Sequence, residues 1–320
     1  MIGKDPLIIL TGPTGVGKSA LSIRLAKELD CEIISADSMQ VYKGMDIGTA
    51  KITKEEACGI RHYGIDLTSP DSCYNVTGFV TMAKNAITEI VSRGKLPLVV
   101  GGTGFYIQAL LYDVEFTEEE TDDKRRKELS EYAEIHGPEA LHELLKDIDP
   151  ISYETIHYNN VKRTIRAIEF YEKNKFPISS HNREQKQRES FYNSAYFVLE
   201  RKRDSLYENI NKRVDLMMEK GLLAEARRIY DLGIDRSFCA MQAIGYKQLF
   251  EYFDGSVSLD EAIDNIKKES RHYAKRQLTW FRREKDVIWL EREESDDVIF
   301  DHILEILKER EIVSYGRCSQ

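Results

Sequence analysis

Gly12-Pro13-Thr14-Gly15-Val16-Gly17-Lys18-Ser19 stands between two segments that leave this chain few folds to adopt. Before it, Leu7-Ile8-Ile9-Leu10 reads as a buried strand; after it, residues 20–29 read as an amphipathic helix, apolar at 21, 25 and 29. Strand, Gly-rich turn of the form G-x-x-x-x-G-K-[ST] and helix together specify a phosphate-binding loop. Glycines let backbone N–H groups close around phosphate oxygens, and the helix N-terminus adds partial positive charge. Lys18 is expected to neutralise a terminal phosphate and Ser19 to hold a Mg²⁺. A nucleoside triphosphate and a small pyrophosphate ester present nearly the same oxygens to such a loop, so the motif leaves the ligand open.

The alternation of strand and helix continues. Residues 31–35 form a short apolar strand that ends at Asp37, residues 79–93 a helix, and residues 96–100 a third buried strand closing on Gly101-Gly102-Thr103-Gly104. Uninterrupted apolar strands separated by helices predict an α/β fold, a P-loop-type parallel sheet covered by helices, with ligands at the carboxyl ends of the strands. From Thr117 the character changes. Residues 117–174 are charged and almost wholly helical, and residues 176–190 are polar and resemble a loop. Residues 195–199 return as an apolar strand, followed by helices over 205–231 and 260–283 and a last strand over 287–290. The expected organisation is a catalytic core of residues 1–115 and 191–320 carrying an all-helical insertion, 116–190.

At 320 residues and 42% apolar content the chain can bury such a core. No apolar run approaches a membrane span, and the N-terminus has no signal-peptide pattern. Cys31, Cys58, Cys73, Cys239 and Cys318 are scattered, as suits reduced thiols. A cytoplasmic protein is expected, with no membrane association and no obligate protein partner evident. The net charge of −9 taken alone argues against a nucleic-acid partner. Its distribution argues otherwise: residues 270–283 hold five Lys or Arg and no acid, interleaved with His272, Tyr273, Trp280 and Phe281. Further basic groups lie at 124–127, at Lys162, Arg163 and Arg166, and at 201–203. A solvated helix face explains any one of these as well, so composition leaves the matter even.

Asp37, just past a strand end, suits either a Mg²⁺ ligand or a general base, and a turn-forming Asp is the plain alternative. Thr103, between glycines at another strand end, suits a hydrogen bond to substrate or a plain turn. Two absences count against nucleotide hydrolysis. The strand ending at Val100 closes on glycines where an acidic metal ligand is expected, and no Asn-Lys-x-Asp guanine signature occurs. Kinase chemistry stays open.

Beyond the loop, the motifs run in order: Asp37-Ser38-Met39-Gln40-Val41-Tyr42-Lys43; Met45-Asp46-Ile47-Gly48-Thr49-Ala50-Lys51; Gly101-Gly102-Thr103-Gly104-Phe105-Tyr106. Asn159-Asn160 ahead of Arg163 and Arg166, then Ala243-Ile244-Gly245-Tyr246-Lys247 and Arg271-His272-Tyr273-Ala274-Lys275-Arg276-Gln277 complete the series. Over about 280 residues the chain resembles the tRNA dimethylallyltransferases, also called isopentenyl-tRNA transferases. It departs from them at Asn160, where Asp is usual, at Arg61-His62-Tyr63, and at Ser19, where Thr is common. Asn160 caps a helix as well as Asp does.

The resemblance implies transfer of a dimethylallyl group from dimethylallyl pyrophosphate to N6 of the adenosine 3′ to the anticodon, with Mg²⁺ and release of pyrophosphate. Gly12, Pro13, Thr14, Gly15, Val16, Gly17, Lys18 and Ser19 would bind pyrophosphate. Asp37 would accept the proton and Thr103 orient the reacting groups. Asp37, Ser38, Met39, Gln40 and Thr103 would meet a flipped-out base. Arg125, Lys162, Arg163, Thr164, Ile165 and Arg166 of the insertion would hold the tRNA anticodon stem-loop. Whether Arg271 or Arg276 meets pyrophosphate or RNA is open. The alternatives are a P-loop small-molecule or nucleoside kinase, and a nucleotide-gated RNA-binding protein without chemistry.

Overall fold

The computed structural model describes residues 4–114, 123–292 and 295–313. The chain divides into two compact units, Met1–Leu111 with Ser190–Gln320, and Tyr112–Glu189. The first is built on six parallel strands: β1 (Pro6–Thr11), β2 (Cys31–Ala36), β3 (His62–Tyr63), β4 (Leu96–Gly101), β5 (Asn193–Glu200) and β6 (Val287–Glu291). Their order is β3-β2-β4-β1-β5-β6. Central β1 pairs with β4 and β5 in parallel, Ile9 opposite Val99 on one side and Tyr196 on the other. Leu7 to Leu10 are fully buried, as expected of a strand covered on both faces. Sequence reading did not anticipate β3, whose two residues pair with Ile33 and Ile34 at the sheet edge. Two residues carry no periodicity.

Helices α1 (Lys18–Glu28), α2 (Lys54–Ala57), α3 (Val76–Ser92) and α4 (Gly104–Leu111) precede the second unit. That unit holds α5 (Asp123–His136), α6 (Pro138–Glu143), α7 (Leu145–Ile148), α8 (Pro150–Thr155), α9 (Val161–Asn174) and α10 (Ile178–Gln187). The first unit then resumes with β5, α11 (Arg203–Glu219), α12 (Leu222–Asp231), α13 (Tyr246–Phe253), α14 (Leu259–Phe281), β6 and α15 (Asp296–Glu309). Among the described residues no helix is long and apolar enough to cross a membrane.

Two expectations are corrected. The polar stretch expected as a loop over 176–190 is helical as α10. Its cap comes from far away in sequence: Asp149 Oδ2 accepts from Ser179 N at 3.0 Å, while Oδ1 accepts from Ser152 N at the start of α8. One buried carboxylate thus starts two helices. The helix expected over 205–231 is two, separated at Gly221, whose φ of 100° is left-handed. The cap expected at Asn160 forms, its side chain accepting from Arg163 N.

Candidate active site

The carboxyl ends of β1, β2 and β4 open on a cavity of about 470 Å³ within the first unit. Thr14, Gly15, Gly17, Lys18 and Ser19 form one wall. Gly17 takes φ 98°, closed to most side chains, and so turns the chain from the loop into α1. Val16 points the other way, into the sheet core. Gly12 and Pro13 lie behind the wall, and their carbonyls accept from Lys18 Nζ at 2.8 and 2.9 Å. Burial, and next the guanidinium of Arg213, lower the Lys18 pKa to about 7, against the opposing pull of Asp37. A lysine so placed gains most from a multiply charged anion.

Two helices supply what sequence reading missed. On α11, Ile210, Arg213, Val214 and Met217 share one face and line the cavity, one cation among three apolar side chains. Burial pushes the Arg213 pKa down and Asp37 pushes it back up. On α14, which packs beside α11, Ser270, Tyr273, Arg276 and Gln277 also line the cavity. The helical spacing, i, i+3, i+4, i+7 on α11 and i, i+3, i+6, i+7 on α14, was the available signal; that these faces turn to the strand ends was not in it. Arg276, not Arg271, faces the cavity; Arg271 donates to Asn211 Oδ1 at 2.6 Å.

Gln277 ties the wall to the sheet. Its Oε1 accepts from Thr14 N and its Nε2 donates to Gly102 O, both at 2.9 Å. A Cβ at position 102 would stand 2.2 Å from that Nε2. Gly102 is therefore where α14 docks, while a Cβ at Gly101 would stand 2.2 Å from Ala36 O of β2, so close packing on two sides leaves both positions to glycine.

Asp37 lines the cavity just past β2. Its Oδ1 accepts from Met39 N at 2.9 Å, the local turn bond of an Asp. Ser38, Met39 and Gln40 follow along the same wall. Thr103 does not line the cavity. Its Oγ1 accepts from Ser38 N at 3.2 Å and its N donates to Ala36 O, so it holds the Asp37 turn from behind. Burial, and next Asp37, push the pKa of the Tyr273 hydroxyl up to about 12.

In the second unit Lys162, Arg163 and Arg166 are exposed on α9. Thr164 and Ile165, grouped with them by the resemblance, are buried, Ile165 against Leu129, Leu141 and Leu145. Their side chains present no surface to a partner. Arg125 engages Glu172 through two bonds and Glu128 through a third, which hold its pKa high.

The model of the family described as IPP transferase matches residues 40–284, and that described as isopentenyl transferase matches residues 6–69. A tRNA dimethylallyltransferase of Lachnoclostridium phytofermentans is 54% identical over 97% of this chain and 99% of its own. The chain belongs to the tRNA dimethylallyltransferase family. Its relative in Bacillus subtilis is 49% identical over 94% of this chain and 97% of its own. The crystal structure of the tRNA isopentenylpyrophosphate transferase from Bacillus halodurans shares 43% identity, covers 96% of this chain and 98% of its own, and superposes with a TM-score of 0.72. A eukaryotic dimethylallyltransferase described acting on tRNA reaches 0.79 at 29% identity, over 98% of this chain and 82% of its own. This family membership makes the protein a prenyltransferase and decides against the kinase and the gated RNA binder.

Proposed function

We infer that the protein transfers a dimethylallyl group from its pyrophosphate to N6 of the adenosine 3′ to the anticodon of tRNA. The observation that carries this reading is the make-up of one cavity. Lys18 and Arg213 form a cationic end, Ile210, Val214 and Met217 an apolar wall beside it, and Asp37 a carboxylate facing both. A short apolar chain on a pyrophosphate matches the first two features, and an amine that must lose a proton matches the third.

The bond from C1 of the dimethylallyl group to the pyrophosphate oxygen breaks, and its electron pair leaves with the pyrophosphate. N6 forms the new bond to C1 and gives up a proton to Asp37. Lys18 and Arg213 stabilise charge that grows on the leaving group, where a low-dielectric site makes them most effective. The apolar face of α11 excludes water from the reacting carbon. Among the described residues no three His, Cys, Asp or Glu side chains form a metal site by themselves. A Mg²⁺ bound chiefly through pyrophosphate oxygens and water fits, because such ions need few protein ligands; the Ser19 hydroxyl would hold it, and it would add charge stabilisation to the leaving group. Lys162, Arg163 and Arg166 would meet phosphates of the anticodon stem.

Mass analysis of an anticodon stem-loop incubated with the protein, Mg²⁺ and dimethylallyl pyrophosphate tests the reading. A gain of one dimethylallyl group without ATP is expected. An unchanged mass, or a requirement for ATP, would overturn it.

A further inference from the structure

Glu225, on α12, has no part in the chemistry above, yet it is only 2% exposed and has four donors. Its Oε2 accepts from Asp46 N and Ile47 N, both at 2.9 Å; its Oε1 accepts from Gly48 N at 2.9 Å and from the Tyr246 hydroxyl at 2.5 Å. Three successive amides converging on one anion form a nest. Here the anion is the protein's own carboxylate. The fit admits only glycine at 48, since a Cβ there would stand 2.5 Å from the Tyr246 ring.

The far end of that loop reaches the cavity. Thr49 O and Ala50 O accept from Gln40 Nε2 at 3.3 and 3.4 Å, and Ser35 Oγ donates to Gln40 Oε1 at 2.9 Å. The Gln40 amide is thus held in one sense, nitrogen toward the loop and oxygen toward β2. Gln40, Gly48, Thr49 and Ala50 line the same cavity as Asp37. An amide free to turn over offers donor and acceptor interchangeably, whereas one held at both ends reads a base edge.

We propose that Glu225 is a positioning residue for base selection: by clamping the 46–48 amides it fixes the 49–50 carbonyls, and through them the sense of the Gln40 amide. The clamp makes the site favour a 6-amino purine over a 6-oxo purine beside Asp37. This inference rests on the acceptor reading above.

Glu225→Gln keeps size but turns an NH₂ toward donors that need an acceptor. The KM for an adenosine stem-loop should rise about tenfold, as one buried amide loses its partner. The binding preference for an adenosine stem-loop over its inosine counterpart, measured with labelled RNA and no donor, should fall by a similar factor. Affinity for dimethylallyl pyrophosphate should stay within about twofold, because neither Lys18 nor Arg213 touches the loop. Tyr246→Phe, which removes one donor and keeps the ring against Gly48, should give a smaller shift of the same kind and serves if Glu225→Gln does not fold. Gln40→Met should abolish the preference, and adding Glu225→Gln to it should change nothing more. A lowered Tm with KM and preference unchanged per folded molecule would overturn the proposal, as would additive effects of the two substitutions or a wild type blind to inosine. A wild type that binds with the preference but yields no product would instead overturn only the transfer reading.

Discussion

Lys18 has two carbonyl partners, and both belong to the loop it serves. Its pKa of about 7 lies well below the ordinary 10.5, and a bound pyrophosphate would draw it back up. Above about pH 7 binding must therefore take up a proton, so donor affinity should weaken as pH rises, by up to about tenfold per unit. Lys18→Ala should bind donor weakly at every pH and lose this slope. Titration calorimetry in buffers of different ionisation enthalpy measures both, and an unchanged slope in the variant would assign the proton elsewhere. Asp37→Ala should cost about 10²–10⁴-fold in single-turnover rate while stem-loop binding changes little, since proton acceptance matters in the transition state. Near-normal turnover would remove Asp37 from the role.

At the scale of elements, helix starts and buried faces decide which basic residues remain outside. On α9, Thr164, Ile165, Ala167 and Ile168 pack inward, and this leaves Lys162, Arg163 and Arg166 as an exposed stripe. Asp149 anchors two neighbouring helices through Ser152 N, Ser152 Oγ and Ser179 N. Burial tends to raise its pKa, but the bonds to Ser179 and Ser152 outweigh burial and hold it below the usual range. A carboxylate with a lowered folded pKa stabilises fully above its unfolded pKa, and that contribution is lost as pH falls below about 4. Asp149→Ala should lower stability by about 1–3 kcal/mol, because buried donors lose their partner. Limited proteolysis should then cut within 112–189 first, with donor affinity intact. Cleavage spread evenly over the chain would contradict a local role for this anchor.

At the scale of the whole molecule, a chain of net charge −9 must hold a polyanion. Screening at physiological salt confines that repulsion to roughly 8 Å, so local stripes can dominate. Neutralising Lys162, Arg163 and Arg166 together should raise the KM for tRNA and flatten its salt dependence, by about 0.7 in log–log slope for each RNA phosphate that no longer meets a cation. Donor affinity should stay the same, since the phosphate loop belongs to the other compact unit. Unchanged KM and slope would reduce the stripe to a solvated helix face.

The parallel sheet, the phosphate loop and Asp37 past a strand end were legible in sequence because each is written in adjacent residues: apolar runs, glycine spacing, one acid after β2. The IPP transferase family was legible for the same reason, through motifs in unbroken runs. Arg213, Gln277 and Glu225 were not, because each acquires its meaning from residues far away in the chain. Gln277 bonds Thr14 and Gly102, and Glu225 bonds the amides of 46–48. Helix α10 was misread for that reason too, its cap lying thirty residues upstream at Asp149. Local sequence sets backbone preference and periodicity; which helix face meets which strand end is fixed only when the folded chain buries its apolar surface and finds partners for its buried polar groups.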